Sequence, residues 1–232
     1  MLLLGNDTVD INYAGIAGKS TNSRFIERVF SDKEQSVISV STDPDLTLWM
    51  IWAAKETAYK IISKITGPPV FSHKIFETTF LKPLPDSRSK IEVAYNTWIF
   101  QIEITFNRNY IHAVGAHTTN GKLSNYLRSE KVHRVTQSEL KTWKNTIRWS
   151  DNFTKEELLS IHQAESALVR LYCKKSIAEK LKITPSRLQI IRPSKERKPQ
   201  PPFLLLDNRQ TEIDISLSHH GSWLGWCFSM KL

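Results

Sequence analysis

The sequence predicts an α+β fold of two lobes, each a helix packed on antiparallel strands. Three observations carry this. The first half holds a strongly apolar helical stretch followed by a strand–turn–strand pattern, and the second half holds an amphipathic helical stretch followed by alternating strands. A polar segment rich in Lys, Ser, Thr and Asn, from 118 to 152, separates them. There are too few βαβ alternations for a doubly wound sheet, whereas two halves of like content are compatible with packing about a pseudo-two-fold axis. The expected boundaries are a first lobe over 1–120, a polar connector over 121–152 and a second lobe over 153–232.

The first helix begins where Asp43 is placed to cap and Pro44 to occupy the first helical position. It should run over 44–65 and stop before Gly67-Pro68-Pro69. From Leu48 to Ala54 it is apolar nearly all round, so it should be buried. In 98–106, Ile102, Ile104 and Phe106 alternate with Gln101, Glu103 and Thr105, which is strand periodicity. Asn107-Arg108-Asn109 reads as a turn and 110–117 as the returning strand of a hairpin. The second half opens with Thr154 and Glu157 in capping-box spacing, and an amphipathic pattern through Leu158, Ile161, Ala164, Leu168, Leu171 and Ala178 to Leu181 predicts a second helix. After Pro-rich sequence over 192–202, Ile213, Ile215 and Leu217 alternate with polar residues. His220-Gly221-Ser222 turns the chain, and 223–230 closes as a strand.

With 232 residues, 40% of them apolar and 10% aromatic, the chain has enough material for one large core or two small ones. No apolar run reaches the roughly 18 residues a membrane span needs, and Met1-Leu2-Leu3-Leu4 is too short for a signal-peptide core, so a cytoplasmic protein with no membrane role is expected. Cys173 and Cys227 make neither a disulfide framework nor, even with His162, His219 and His220, a four-ligand zinc site; both thiols should be buried. The net charge of +9 attracts acidic partners without choosing among nucleic acid, anionic membrane, acidic protein and polyphosphate. A nucleic-acid module would need a contiguous basic and aromatic face. Here the basic residues are scattered, and Trp49, Trp52 and Trp98 lie in apolar patterns that read as core.

Three segments carry possible chemistry. In Gly5-Asn6-Asp7-Thr8-Val9-Asp10 a glycine precedes a carboxylate in strand-like sequence; by itself this is also what a turn with an exposed acid looks like. In Trp52-Ala53-Ala54-Lys55-Glu56-Thr57-Ala58-Tyr59-Lys60 an apolar helix abruptly carries charge, with Glu56 and Lys60 on one face. An ordinary surface ion pair is the plain explanation, but a buried helix carries charge cheaply only where partners or ions meet it. Ser216-Leu217-Ser218-His219-His220-Gly221-Ser222-Trp223 is a polar strand end whose turn could present hydroxyls, imidazoles and amides to an anion, or be a polar hairpin and no more. No Gly-x-Ser-x-Gly elbow accompanies its Ser and His residues, which argues against a hydrolase.

Taken in this order, the three segments resemble the phosphopantetheinyl transferase superfamily, with its Gly-x-Asp, Trp-x-x-Lys-Glu-x-x-x-Lys and Ser-x-Ser-His motifs. Arg24-Phe25 is similar to the family's Arg-Phe element, and Lys195-Glu196-Arg197-Lys198-Pro199 followed by Phe203 to its Gly-Lys-Pro segment, with Arg197 in place of the glycine. In two-lobed, surfactin-type members the lobe bearing Lys-Pro and Ser-His comes first; here it comes last, as in a permuted lobe order.

The resemblance implies transfer of 4'-phosphopantetheine from coenzyme A to a serine of an acyl or peptidyl carrier protein, itself typically acidic, in fatty-acid, polyketide or peptide synthesis. It implies magnesium held by Asp7 and Glu56, with Glu56 as proton acceptor and Lys60 beside it in the catalytic site. Lys55, Lys60, Lys198, Ser218 and His219 would bind coenzyme A, with the amide-rich turn at His220-Gly221 nearby. Val9 stands where two-lobed bacterial members often carry a second acid, and Asp10 where the short synthases carry theirs. Arg24 and Arg28 are candidates for meeting the carrier, against the alternative of plain solvated helix charges. Two lobes in one chain predict a monomer. The departures at Val9 and Arg197 leave one alternative, a catalytically inactive member that binds coenzyme A or a carrier protein.

Overall fold

The computed structural model describes residues 1–69, 72–80, 87–118, 125–145, 148–196 and 198–231. In chain order the first lobe contains β1 (Leu2–Asp10), α1 (Ser23–Val29), α2 (Asp32–Ser39), α3 (Pro44–Thr66), β2 (Glu77–Phe80), β3 (Arg88–Tyr95), β4 (Trp98–Phe106) and β5 (Tyr110–Thr118). Its five strands form one antiparallel sheet in the order β1-β5-β4-β3-β2. Helix α3 starts as its sequence dictates, with the Asp43 carboxylate accepting from the Leu46 amide and Pro44 at its head. Leu48, Trp49, Met50, Ile51, Ala53 and Ala54 are buried against the sheet, and one hydrophobic core joins them to Ile91, Val93, Phe100, Ile102 and Ile104.

The second half contains β6 (Tyr126–Arg134), α4 (Gln137–Asn145), α5 (Lys155–Leu158), α6 (Ala164–Leu181), β7 (Leu188–Ile191), β8 (Ser194–Lys195), β9 (Lys198–Pro199), β10 (Phe203–Leu206), β11 (Arg209–Gln210), β12 (Asp214–His220) and β13 (Trp223–Lys231). Sheet β12-β13-β6 packs on α6, with smaller sheets β11-β10-β7 and β8-β9 beside it. The second core gathers Leu168, Cys173, Ile177, Ile215, Leu224 and Phe228, apart from the first. Both cysteines are buried and unbridged.

Two differences from the sequence reading have physical causes. The capping box at Thr154 and Glu157 forms, but it heads only α5, and the chain breaks before α6 begins. Arg170 holds the break from inside α6, donating from Nη2 to the Ser160 carbonyl at 3.3 Å and hydroxyl at 3.0 Å, while Ile161 turns into the core. Within the segment read as polar, β6 pairs with β13 from Tyr126↔Lys231 to Arg134↔Trp223. Its charges hid it: β6 is an edge strand with one solvated side, and an edge tolerates Arg, Glu and Lys that an inner strand does not.

The halves repeat a local device. Phe30-Ser31-Asp32-Lys33-Glu34 and Phe153-Thr154-Lys155-Glu156-Glu157 each form a capping box whose Glu is buried. Glu34 pairs with Lys55 of α3 at 2.6 Å and Glu157 with Lys174 of α6 at 3.0 Å, each ammonium lying near the phenyl ring that precedes the box. The residue after the paired lysine is Glu56 in the first half and Lys175 in the second. Only the first helix therefore carries the acid.

Strand β1 joins the halves. Leu3, Gly5, Asp7 and Val9 face α3, and the alternate residues face β12 and β13. Rungs to β12 run at a constant offset: Leu4 N to Asp214 Oδ2 at 2.6 Å, Asn6 N to Ser216 Oγ at 3.0 Å, Thr8 Oγ1 with Ser218 Oγ at 2.8 Å, and Asp10 N to His220 Nδ1 at 3.0 Å. A constant offset means the two strands run parallel, tied by side chains in place of a backbone ladder. Two glycines permit the packing. A Cβ at Gly5 would lie 2.2 Å from the Thr57 carbonyl oxygen, and one at Gly225 would lie 2.1 Å from Thr8 Oγ1.

Candidate active site in the cleft between the lobes

Asp7 sits inside β1, not in a turn, and its side chain is only 15% exposed. Period-two alternation puts it on the α3 side, where Lys60 Nζ stands 3.1 Å from its Oδ1 and also donates to the Asn6 carbonyl at 2.6 Å. One helical turn on, Lys64 donates to the Leu4 carbonyl at 2.6 Å, to Asp214 Oδ2 at 2.7 Å and to the Ile215 carbonyl at 2.7 Å. The two lysines thus staple α3 to β1 and β12. Burial pushes the Asp7 carboxyl up from 3.8 to about 6; Lys60 opposes the rise and the neighbouring Glu56 carboxylate adds to it. Of the three residues expected together, Asp7 and Lys60 meet, while Glu56 is near enough to influence Asp7 but pairs with His73, its Oε1 3.4 Å from His73 Nε2, and is not among the residues lining the adjacent cleft.

Beside them lies a cleft of about 360 Å³. Asp7, Tyr59, Lys60, Ser63, Lys64 and Pro68 form one wall, and Ser166, Arg170, Arg192, residues 199–202 and 216–219 the other. Four cationic side chains thus face one carboxylate. Burial, joined by Arg192 and opposed by Glu157, lowers the Arg170 guanidinium to about 10, so Arg170 remains charged near neutrality. Its Nη1 donates to the Ser166 carbonyl at 3.0 Å and to the Ser166 hydroxyl. Its buried Nε has no hydrogen-bond partner among the described residues. Mutually repelling guanidiniums on a concave wall, one with an unpartnered N–H, suit an anion with several charged oxygens.

Several expected contacts differ. Lys55 does not reach the cleft. It is fully buried, paired with Glu34 and donating to the His73 carbonyl at 2.9 Å, because an ammonium inside an apolar helix needs a fixed counter-charge. Ser218 is on the wall, but its hydroxyl accepts from Asn6 Nδ2 at 2.8 Å, contacts Thr8 Oγ1 and faces the Gly225 carbonyl at 3.3 Å, leaving it turned into the junction of the lobes. Next to the His220-Gly221 turn, Asp10 Oδ2 accepts from the Ser222 amide at 2.8 Å, and its Oδ1 accepts from the Asn12 amide. That closes the Asp10 carboxylate into a loop brace. Val9 is buried in the first core.

His219 lines the cleft, and desolvation of its ring there lowers its pKa. Lys198 is exposed on β9, outside the lining, although Pro199 and Gln200 beside it are part of it. Arg197 lies outside the described residues. Arg24 and Arg28 are exposed on α1. Sequence reasoning missed Lys64, Arg170 and Arg192. Lys64 was open to it, four residues beyond Lys60 and so on the same helix face.

Among the described residues no group of three or more His, Cys, Asp or Glu side chains is set to hold a metal ion, and no helix is long and apolar enough to cross a membrane. Residues 3–115, from β1 through β5, match the model of the 4'-phosphopantetheinyl transferase superfamily. Through this stretch, just under half of its length, the chain is similar to that superfamily. The matched residues include Asp7, Glu56 and Lys60, while Arg170, Arg192 and His219 lie beyond them. The α+β architecture is consistent with that similarity, and the family's general chemistry is phosphopantetheine transfer with coenzyme A as donor. No curated protein matches the chain.

Proposed function

We propose that this protein moves 4'-phosphopantetheine from coenzyme A to a serine of an acyl or peptidyl carrier protein, releasing adenosine 3',5'-bisphosphate. The observation that carries the reading is the cleft lined by Asp7, Lys60, Lys64, Arg170 and Arg192, with the Glu56 carboxylate near enough to add to the rise that burial gives the Asp7 pKa. In this reading Lys60, Arg170 and Arg192 bind the phosphates, and His219 lies at the nucleotide end. Lys198, on the rim, reaches the same ligand from outside.

Two carboxylates with few other protein ligands suit magnesium, which keeps several waters and takes substrate phosphate oxygens. Asp7 and Glu56 would hold it, and when bound it neutralises charge on the pyrophosphate as the leaving nucleotide departs. Glu56, 23% exposed, accepts the proton of the attacking serine. Lys60 leaves Asp7 for a phosphate oxygen as the coenzyme enters. The exposed Arg24 and Arg28, with the net charge of +9, favour an acidic carrier. Lobe order is that of a permuted two-lobed transferase acting as a monomer in the cytoplasm. Chromatography of the bisphosphate product tests the reaction: release that depends on apo carrier protein and is lost on chelation supports it, and release without a carrier contradicts it.

A further inference from the structure

Glu56 is a flexible side chain asked to do a positional task, and its motif does not by itself explain what fixes it. Three residues of one α3 face, Trp52, Lys55 and Glu56, all meet His73. The Glu56 Oε1 atom lies 3.4 Å from His73 Nε2. The ring of Trp52 packs on the imidazole with centroids 4.1 Å apart and planes at 32°. The His73 carbonyl accepts from Lys55 Nζ at 2.9 Å, and Lys55 is in turn locked by Glu34 at 2.6 Å. A short helical turn over His73–Ile75 completes the support, closed by Phe76 N donating to the His73 carbonyl at 3.2 Å. The imidazole is therefore held by its main chain on one side and by an indole on the other.

We propose that His73 is a positioning residue for Glu56, engaging Oε1 so that Oε2 is left for the metal ion or the serine proton. The inference rests on the transferase reading above. It also gives the motif lysine a task other than phosphate binding: Lys55 anchors the turn that brings His73 to its neighbour in sequence. A carboxylate that must act within fractions of an ångström gains from a partner that removes its alternative rotamers.

The test compares His73→Phe, which keeps the stack on Trp52 and removes the nitrogen, with His73→Gln, whose amide can still donate to the carboxylate. Transfer kinetics with coenzyme A, magnesium and an apo acyl carrier protein should show kcat reduced about 10-fold or more in His73→Phe, with the KM for coenzyme A unchanged, and largely recovered in His73→Gln. Manganese binding in the presence of coenzyme A, followed by electron paramagnetic resonance, should weaken about 10-fold in His73→Phe and recover in the same way. Wild-type kcat and manganese affinity in His73→Phe would overturn the inference, as would equal losses in both variants that track a fall in melting temperature. If wild-type protein modifies no carrier, the transferase reading fails, and the manganese comparison still decides the role of His73.

Discussion

Replacing Lys55 by Met separates a structural lysine from a phosphate-binding one. The ammonium is fully buried, its pKa lowered by burial and partly restored by Glu34, whose carboxylate is 2% exposed. Met fills most of the volume but leaves the Glu34 carboxylate without its counter-charge, still accepting from the Thr78 amide at 3.0 Å and hydroxyl at 2.7 Å. Removing one partner of a buried pair costs about 3–5 kcal/mol. For a chain of this size that corresponds to a melting temperature lower by about 6–20 °C. Urea unfolding followed by tryptophan fluorescence gives the free energy, and adding Glu34→Gln in the same chain should recover part of the loss, since a neutral pair carries no stranded charge. A loss below about 1 kcal/mol, together with coenzyme A binding weakened tenfold, would refute the argument and return Lys55 to the phosphates.

Other perturbations test other parts of the account. His112 is buried beside Asn6, and burial with Lys60 nearby lowers its pKa from 6.5 to about 3. The unfolded chain then binds a proton that the folded chain refuses, so stability falls as pH drops from about 6.5 toward 3, by about 1.4 kcal/mol per pH unit in mid-range. In His112→Gln, acid unfolding should lose that slope; an identical slope would place the proton elsewhere. Gly5→Ala should destabilise by about 1–3 kcal/mol in the same urea assay, because its Cβ would meet the Thr57 carbonyl at 2.2 Å and α3 must retreat. Lys60→Ala and Arg170→Ala should each weaken coenzyme A binding by calorimetry, roughly 10- to 100-fold for the loss of a charge-assisted contact. Unchanged affinity in both would move the ligand out of the cleft.

Much of the fold was readable because its signals are local. The Asp43 cap, the 98–117 hairpin and the 214–231 hairpin each depend on residues close in sequence, and each formed within a residue or two of its expected place. Strand β6 was not readable, since an edge strand with charges on its solvated side has no clean alternation. Near the cleft, helical spacing made the shared face of Glu56 and Lys60 readable, whereas Asp7 was grouped with them only through the motif resemblance. The destinations of Lys55 and Ser218 were not readable, because their partners, Glu34 and Asn6, are 21 and 212 residues away, and only the packed chain brings them together. Arg170 was hidden for the opposite reason: inside an amphipathic helix an arginine reads as a solvated charge, and its burial follows from the cleft of which it is part.

The central claim is tested most directly by intact-mass measurement of an apo acyl carrier protein incubated with this protein, coenzyme A and magnesium. The account predicts a gain of one phosphopantetheine on the carrier serine, absent with Glu56→Gln and absent with chelator. Several apo carriers left unmodified while coenzyme A still binds would contradict it, and the protein would then be a coenzyme-binding protein similar to the superfamily but without transferase activity.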